Sequence, residues 1–117
     1  MSIRLGDKTY LLIGKKLDEW KRQKGFLCLG LTIQALSKSI GVNRTYLSNY
    51  VNDTYGRNFN RWVNELRIEE AKSRMKTAEN SLAEIAAQVG FADLAHFSKQ
   101  FKRKEGLSPS AWRKKLR

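Results

Sequence analysis

Positions 44 to 52 read Arg44-Thr45-Tyr46-Leu47-Ser48-Asn49-Tyr50-Val51-Asn52. On a helix turning ~100° per residue, Arg44, Thr45, Ser48, Asn49 and Asn52 fall on one arc, and Tyr46, Leu47, Tyr50 and Val51 on the opposite one. The first arc donates and accepts hydrogen bonds and holds no carboxylate. Such side chains can bond base edges, and asparagine can bond adenine bidentately. A helix face that is merely solvated more often mixes Glu and Lys at i,i+4. The second arc, aromatic and aliphatic, is the side expected to be buried.

A later stretch has the same phase. From Leu94 to Lys102, His96, Phe97, Gln100 and Phe101 take the inward arc, and Leu94, Ala95, Ser98, Lys99 and Lys102 the outward one. Leu94 and Ala95 offer no hydrogen bonds but can touch a thymine methyl, and Lys99 can reach a guanine or a phosphate. His96 reads as a packing residue at the boundary. Beyond Ser98 the chain is strongly basic (Lys99, Lys102, Arg103, Lys104, Arg113, Lys114, Lys115 and Arg117), with Glu105 as the single acid. Lys102, Arg103 and Lys104 are the candidates for phosphate contact.

Other chemistries find little support. With one cysteine (Cys28) and one histidine (His96), neither an internal disulfide nor a zinc site of the usual nitrogen and sulfur ligands can form. No nucleophile, base and orienting group occur together, so no enzyme activity, cofactor or metal is expected. No apolar run approaches the ~20 residues of a membrane span, and no secretory leader pattern is visible.

The punctuation of the chain is that of an all-α protein. A single proline, Pro109, interrupts it, and glycines are expected between periodic segments, not inside them. The first helix is expected from Tyr10 to about Lys24, with Tyr10, Ile13, Leu17 and Trp20 as its apolar stripe. A connector, Phe26, Leu27 and Leu29, is apolar enough to pack on a core. Thr32 should cap a second helix that breaks at Gly41, and Asn43 a third, Arg44 to about Asp53. Asn58 should cap a long fourth helix running to about Thr77. Ser81 and Glu84 form a capping box that opens a fifth, ended by Gly90. A sixth runs from about Asp93 to Lys104, and Ser108-Pro109 opens a short seventh.

These elements repeat. Thr32, Leu36 and Gly41 correspond to Ser81, Ile85 and Gly90, each 49 positions apart. After the glycine the spacing becomes 50, matching Leu47, Ser48, Val51, Gly56 and Trp62 to Phe97, Ser98, Phe101, Gly106 and Trp112. Each copy is a helix containing small residues, a short glycine turn and a second helix, the helix-turn-helix pattern. A purely packing helical hairpin is the competing explanation for a single copy, but it weakens for two. On the fourth helix the apolar stripe changes sides. Phe59, Trp62, Val63 and Leu66 cluster on one face, and Ile68, Ala71 and Met75 lie nearly opposite. This divides the chain into a first subdomain (8–57), a connecting helix (58–77) and a second subdomain (78–117).

The 117 residues suit one domain or two very small ones, and 41% hydrophobic residues can build a core. Lys and Arg number 23 against 11 Asp and Glu, a net charge of +12. That surplus favours polyanions. A nonspecific architectural or RNA-binding helical protein shares this charge, but no aromatic is expected on an exposed face for base stacking. A membrane-surface role for the amphipathic first helix conflicts with the need for its apolar stripe in the core.

The second copy carries Ile85-Ala86, Val89-Gly90-Phe91-Ala92-Asp93, His96-Phe97-Ser98-Lys99-Gln100-Phe101-Lys102, Gly106-Leu107-Ser108-Pro109 and Trp112-Arg113. With Leu31-Thr32, Leu36, Gly41-Val42-Asn43-Arg44-Thr45-Tyr46-Leu47-Ser48 and Leu66 to Ala71, this resembles the DNA-binding domain of the AraC/XylS-type bacterial transcription regulators from Leu31 to about Arg113. The resemblance implies two helix-turn-helix subdomains joined by a long helix, reading two successive major-groove segments ~34 Å apart. It implies base contacts from Arg44, Thr45, Ser48, Asn49 and Asn52, and from Leu94, Ala95, Ser98 and Lys99. Leu94 and Ala95 stand where the family often has polar residues, and His96 and Lys99 replace its common Tyr and Arg. Double-stranded DNA is the expected partner, RNA polymerase a further partner that the resemblance allows, and the bacterial cytoplasm the expected location. The family usually joins such a module to a sensing or dimerising domain. The Leu11-Leu12-Ile13 start, running straight into the DNA-binding unit, favours the output piece of a longer protein over a stand-alone regulator.

Overall fold

The computed structural model describes residues 7–77 and 79–116. In chain order it contains α1 (Asp7–Arg22), a single 3-10 turn (Gly25–Leu27), α2 (Ile33–Ile40), α3 (Arg44–Tyr55), α4 (Phe59–Thr77), α5 (Leu82–Gln88), α6 (Leu94–Glu105) and α7 (Pro109–Lys115). The described residues include no strand, and none of their helices is long and apolar enough to cross a membrane.

The helix starts follow from side-chain capping, which satisfies backbone N–H groups that the first turn leaves without partners. Ala35 donates to Thr32 Oγ1 (3.0 Å), Tyr46 to Asn43 Oδ1 (3.1 Å) and Arg61 to Asn58 Oδ1 (2.9 Å). Glu84 N–H donates to Ser81 Oγ (3.1 Å) while Ser81 N–H donates to Glu84 Oε1 (2.9 Å), so the capping box is complete. Ala111 donates to Ser108 Oγ (3.1 Å). Asp93 stands just outside α6 as its cap, its Oδ1 accepting from His96 N–H (2.8 Å). α1 begins earlier than the stripe suggests, and it also ends earlier, where Lys24 turns to a φ of 59°.

The described chain divides into two compact units. One takes the residues up to Gly25 together with Leu31–Trp62, and the other takes Phe26–Gly30 together with Val63–Arg117.

In the first unit, α1 and α2 pack on α3. Ile13, Leu17, Leu36, Leu47 and Val51 are fully buried or within 1% of it. An aromatic cluster closes the unit. Tyr55 stacks on Trp62 at 4.7 Å and 11°, and Trp20 and Phe59 also lie against Trp62. Burial, the neighbouring Tyr50 and Asp18 and a hydrogen bond with Tyr50 push the Tyr55 hydroxyl up to about 12, so it stays neutral.

In the second unit Ile68, Ala71, Met75, Ile85, Ala86, Val89, Phe91, Phe97 and Phe101 form one core, with Leu27, Leu82 and Trp112 packed against it. The change of stripe along α4 is realised in part: Phe59 and Trp62 belong to the first unit and Ile68, Ala71 and Met75 to the core of the second, but Val63 and Leu66, expected on the face of Phe59, group with the second unit.

The connector before α2 groups with the second unit for a reason that the sequence does not display. Arg67, on α4, is buried and donates through Nε to Phe26 O (2.7 Å) and through Nη2 to Cys28 O (2.7 Å). Its guanidinium also lies 5.7 Å from the centre of the Phe91 ring. Burial pulls its pKa down, yet a guanidinium stays charged, and the two carbonyls and the ring face partly replace its lost water. Gly90 completes this arrangement. It adopts a φ of 100°, and a Cβ there would lie 2.7 Å from Leu27 O and 3.0 Å from Arg67 Nε, so the turn after α5 needs glycine for space as well as for conformation. Phe26 is buried and Leu27 half-buried as expected of an apolar connector, but Leu29 is 66% exposed, because the backbone is held by Arg67 and not by side-chain packing at that position.

Candidate nucleic-acid interface

α3 is presented by a tight turn. Gly41 closes α2 in the left-handed region (φ 72°), and Asn43 opens α3 two residues later. With Leu47 and Val51 at 0% exposure, the roll of the helix is fixed, and its far side must face outward. Arg44, Thr45, Asn49 and Asn52 are exposed there and Ser48 is half-buried. Asn52 Nδ2 donates to Ser48 O (2.9 Å), which pins that amide and leaves its other hydrogen and its carbonyl oxygen turned toward solvent. The first turn of α3 contains no acid. The residues that the wheel placed on one polar arc therefore do share one face.

One expectation for this helix fails. Tyr46, placed on the inward arc, is 36% exposed. It lies in the first turn, where Asn43 caps the helix through Tyr46's own N–H. An exposed aromatic therefore does stand on α3.

α6 repeats the arrangement in its own unit. Phe97 and Phe101 are at 0% exposure, and the rings of Phe91, Phe97, Phe101 and Trp112 contact one another in sequence at 5.4–5.7 Å. Opposite them Leu94 (41%), Ala95 and Lys99 are exposed and Ser98 is half-buried. Lys102 and Arg103 extend the exposed side through the last turn. His96 is a second correction. It is exposed, although its ring still packs against Phe91 in a T-shaped pair at 5.2 Å.

Lys104 differs from its two neighbours. Its ammonium is tied to Glu69 on α4 and lies 3.2 Å from Glu105 Oε2, while Lys72 meets the same two carboxylates at 3.2 and 3.1 Å. Burial pushes the Glu69 carboxyl up, but the hydrogen bonds and charges of Lys104 and Lys72 outweigh it and hold the carboxyl below its usual range. Lys104 mirrors this. Burial pulls it down, and Glu69 and Glu105 together raise it. Lys104 is thus engaged in joining α6 to α4 inside the unit, whereas Arg44, Lys99, Lys102 and Arg103 have no carboxylate at ion-pair distance among the described residues.

The electrostatics and the donor set suit a duplex: short polar side chains on exposed helices, flanking cations, and buried apolar faces that fix the rods. The comparisons with known proteins agree. A family model described as a helix-turn-helix domain matches residues 36–115. The raffinose operon transcriptional regulatory protein RafR of Pediococcus pentosaceus is 38% identical over 87 residues, which are 74% of this chain and 31% of RafR. The C-terminal domain of AraT, a response regulator from Geobacillus stearothermophilus, superposes with a TM-score of 0.79 at 26% identity, covering 97% of this chain and 88% of that one. The DNA-binding domain of AdpA, solved in complex with a target DNA, has the same fold (TM-score 0.78, 20% identity, 90% of this chain and 92% of that one).

The chain belongs to the AraC-type helix-turn-helix family of DNA-binding domains, whose members here are transcriptional regulators and not enzymes. It spans less than a third of the length of RafR.

Proposed function

We propose that the chain is the sequence-reading module of a bacterial transcription regulator, acting in the cytoplasm on an asymmetric duplex site. In this reading α3 and α6 enter successive major-groove segments, 8–57 and 78–117 are the two reading subdomains, and 58–77 joins them. Arg44, Thr45, Ser48, Asn49 and Asn52 contact bases in one segment, and Leu94, Ala95, Ser98 and Lys99 in the other. α3 supplies the hydrogen-bonding discrimination. α6 contributes one cation, one hydroxyl and an apolar patch suited to thymine methyls. Lys102 and Arg103 bind phosphates. Lys104, bound to two carboxylates, adds less than its neighbours. RNA polymerase is a further partner of this reading, and the sensing or dimerising function comes from a longer parent protein.

The observation that carries this proposal is the outward face of α3, acid-free and rich in Asn, Ser, Thr and Arg, on a chain of net charge +12. Competition separates it from a nonspecific architectural or RNA-binding role. A site obtained by selection on randomised duplex should stay bound against a roughly thousandfold excess of random duplex, within the usual range of specific over nonspecific affinity. Stripping by that excess, or equal binding of single-stranded RNA, would refute the proposal.

A further inference from the structure

α1 grips α3 from behind at a point where its own sequence is weak. Gly14 lies in the middle of α1, where glycine makes a poorer helix than alanine. A Cβ at Gly14 would stand 2.7 Å from Tyr50 Oη, with Tyr50 Cζ at 3.5 Å and Cε2 at 3.9 Å. The tyrosine has little room to give way. Tyr10 meets its ring edge-on at 5.2 Å, and Tyr55 does so at 6.1 Å. Tyr10, one turn before Gly14, donates its hydroxyl to Asp53 Oδ2 at 2.9 Å. One turn of α1, Tyr10 to Gly14, therefore holds one turn of α3, Tyr50 to Asp53. Asn49 and Asn52 precede those two residues in the chain and point to the other side.

We infer that Gly14 is a positioning residue for base readout: its missing Cβ lets Tyr50 seat against α1, and that seating sets the roll at which α3 presents Asn49 and Asn52. The inference rests on α3 being the base-reading helix. A helix is stiff, so a shift of its buried side by part of an ångström rotates or lifts the opposite side as a body. Base-edge hydrogen bonds tolerate only a few tenths of an ångström before they weaken. A methyl at position 14 is thus expected to be read as a change in sequence preference, although it touches no DNA.

The test is selection on randomised duplex, with melting curves, for the whole chain and for Gly14→Ala, Tyr50→Phe and the double variant. Gly14→Ala should lose about tenfold on the wild-type site, about the weight of one base contact, and change preference at the base pairs that Asn49→Ala also alters. Tyr50→Phe alone should keep the wild-type profile. In the double variant the hydroxyl is gone, the nearest ring carbons lie at ordinary contact distance, and the wild-type profile should return. Should Gly14→Ala fail to fold, the double variant should still fold and keep the wild-type profile. A Gly14→Ala profile equal to wild type, an altered profile that Tyr50→Phe does not restore, or a double variant that fails to fold overturns the inference and leaves the assignment of α3 standing. A wild-type chain without any preference, or an Asn49→Ala profile equal to wild type, overturns that assignment instead.

Discussion

Single side chains fall into those that choose a sequence and those that hold any duplex. Arg44 is exposed at the start of α3, and Lys102 is exposed in the last turn of α6. Arg44→Ala should cost ~1–3 kcal/mol on the preferred site and relax preference at one base pair. Lys102→Ala should weaken all sequences alike and reduce the slope of log affinity against log salt by about 1. Titrations at several salt concentrations, on preferred and random duplexes, distinguish the two. If Arg44→Ala weakened both duplexes equally, Arg44 would be a phosphate ligand. Most of these residues are legible from spacing alone, because a helix with Leu47 and Val51 buried leaves only one arc for Arg44, Ser48 and Asn52. Tyr46 escapes that logic. The wheel assigns an angle but not the depth of cover at each turn, and at the first turn a ring at the inward angle is still reached by solvent.

At the scale of elements, caps were the most legible feature, since a Ser, Thr or Asn before an apolar period satisfies the first-turn N–H groups whatever the rest of the fold does. Pairings between elements were not. Nothing in the local pattern around Arg67 distinguishes it from a solvated arginine on α4, yet it binds the carbonyls of Phe26 and Cys28. Lysine cannot reproduce that two-pronged donor, so Arg67→Lys should destabilise the second unit by ~1–3 kcal/mol through a carbonyl left without its donor. Chemical denaturation followed by tryptophan fluorescence measures it, and an unchanged midpoint would show the two bonds to be dispensable. Lys104 likewise looks from sequence like one more member of a basic run, and only the packing of α6 on α4 brings Glu69 to it. The signs of the two shifts define a pH window. Glu69 is held below its usual range, so its contribution is complete above the unfolded carboxylate pKa and fades as pH falls through the folded value. Lys104 is held above its usual range, so its share is complete below the unfolded lysine pKa and fades as pH rises through the folded value. Glu69→Gln should therefore lower stability at neutral pH by no more than about 1 kcal/mol, because the pair is partly exposed. The gap from wild type should close in acid. A gap of constant size from pH 7 down to pH 3 would mean that charge is not its origin.

At the scale of the whole molecule, net charge and a duplicated helix-turn-helix point to one kind of partner. Charge supplies attraction to any polyanion and makes it salt-dependent, while the duplicated helices give two chances to read a groove. The duplication was visible as matched residues 49 and then 50 positions apart, so the architecture was the easiest part to infer. The two copies have nonetheless diverged in what they present. Leu94 and Ala95 stand on α6 where α3 has Arg44 and Thr45, so the first copy should dominate hydrogen-bonded discrimination and the second should favour thymine-rich steps. The most direct measurement is a selection on randomised duplex DNA, carried out in parallel on the wild-type chain and on Asn49→Ala. A defined wild-type site is expected, with loss of preference confined to one or two adjacent positions in the variant. Identical profiles for the two proteins would contradict that expectation.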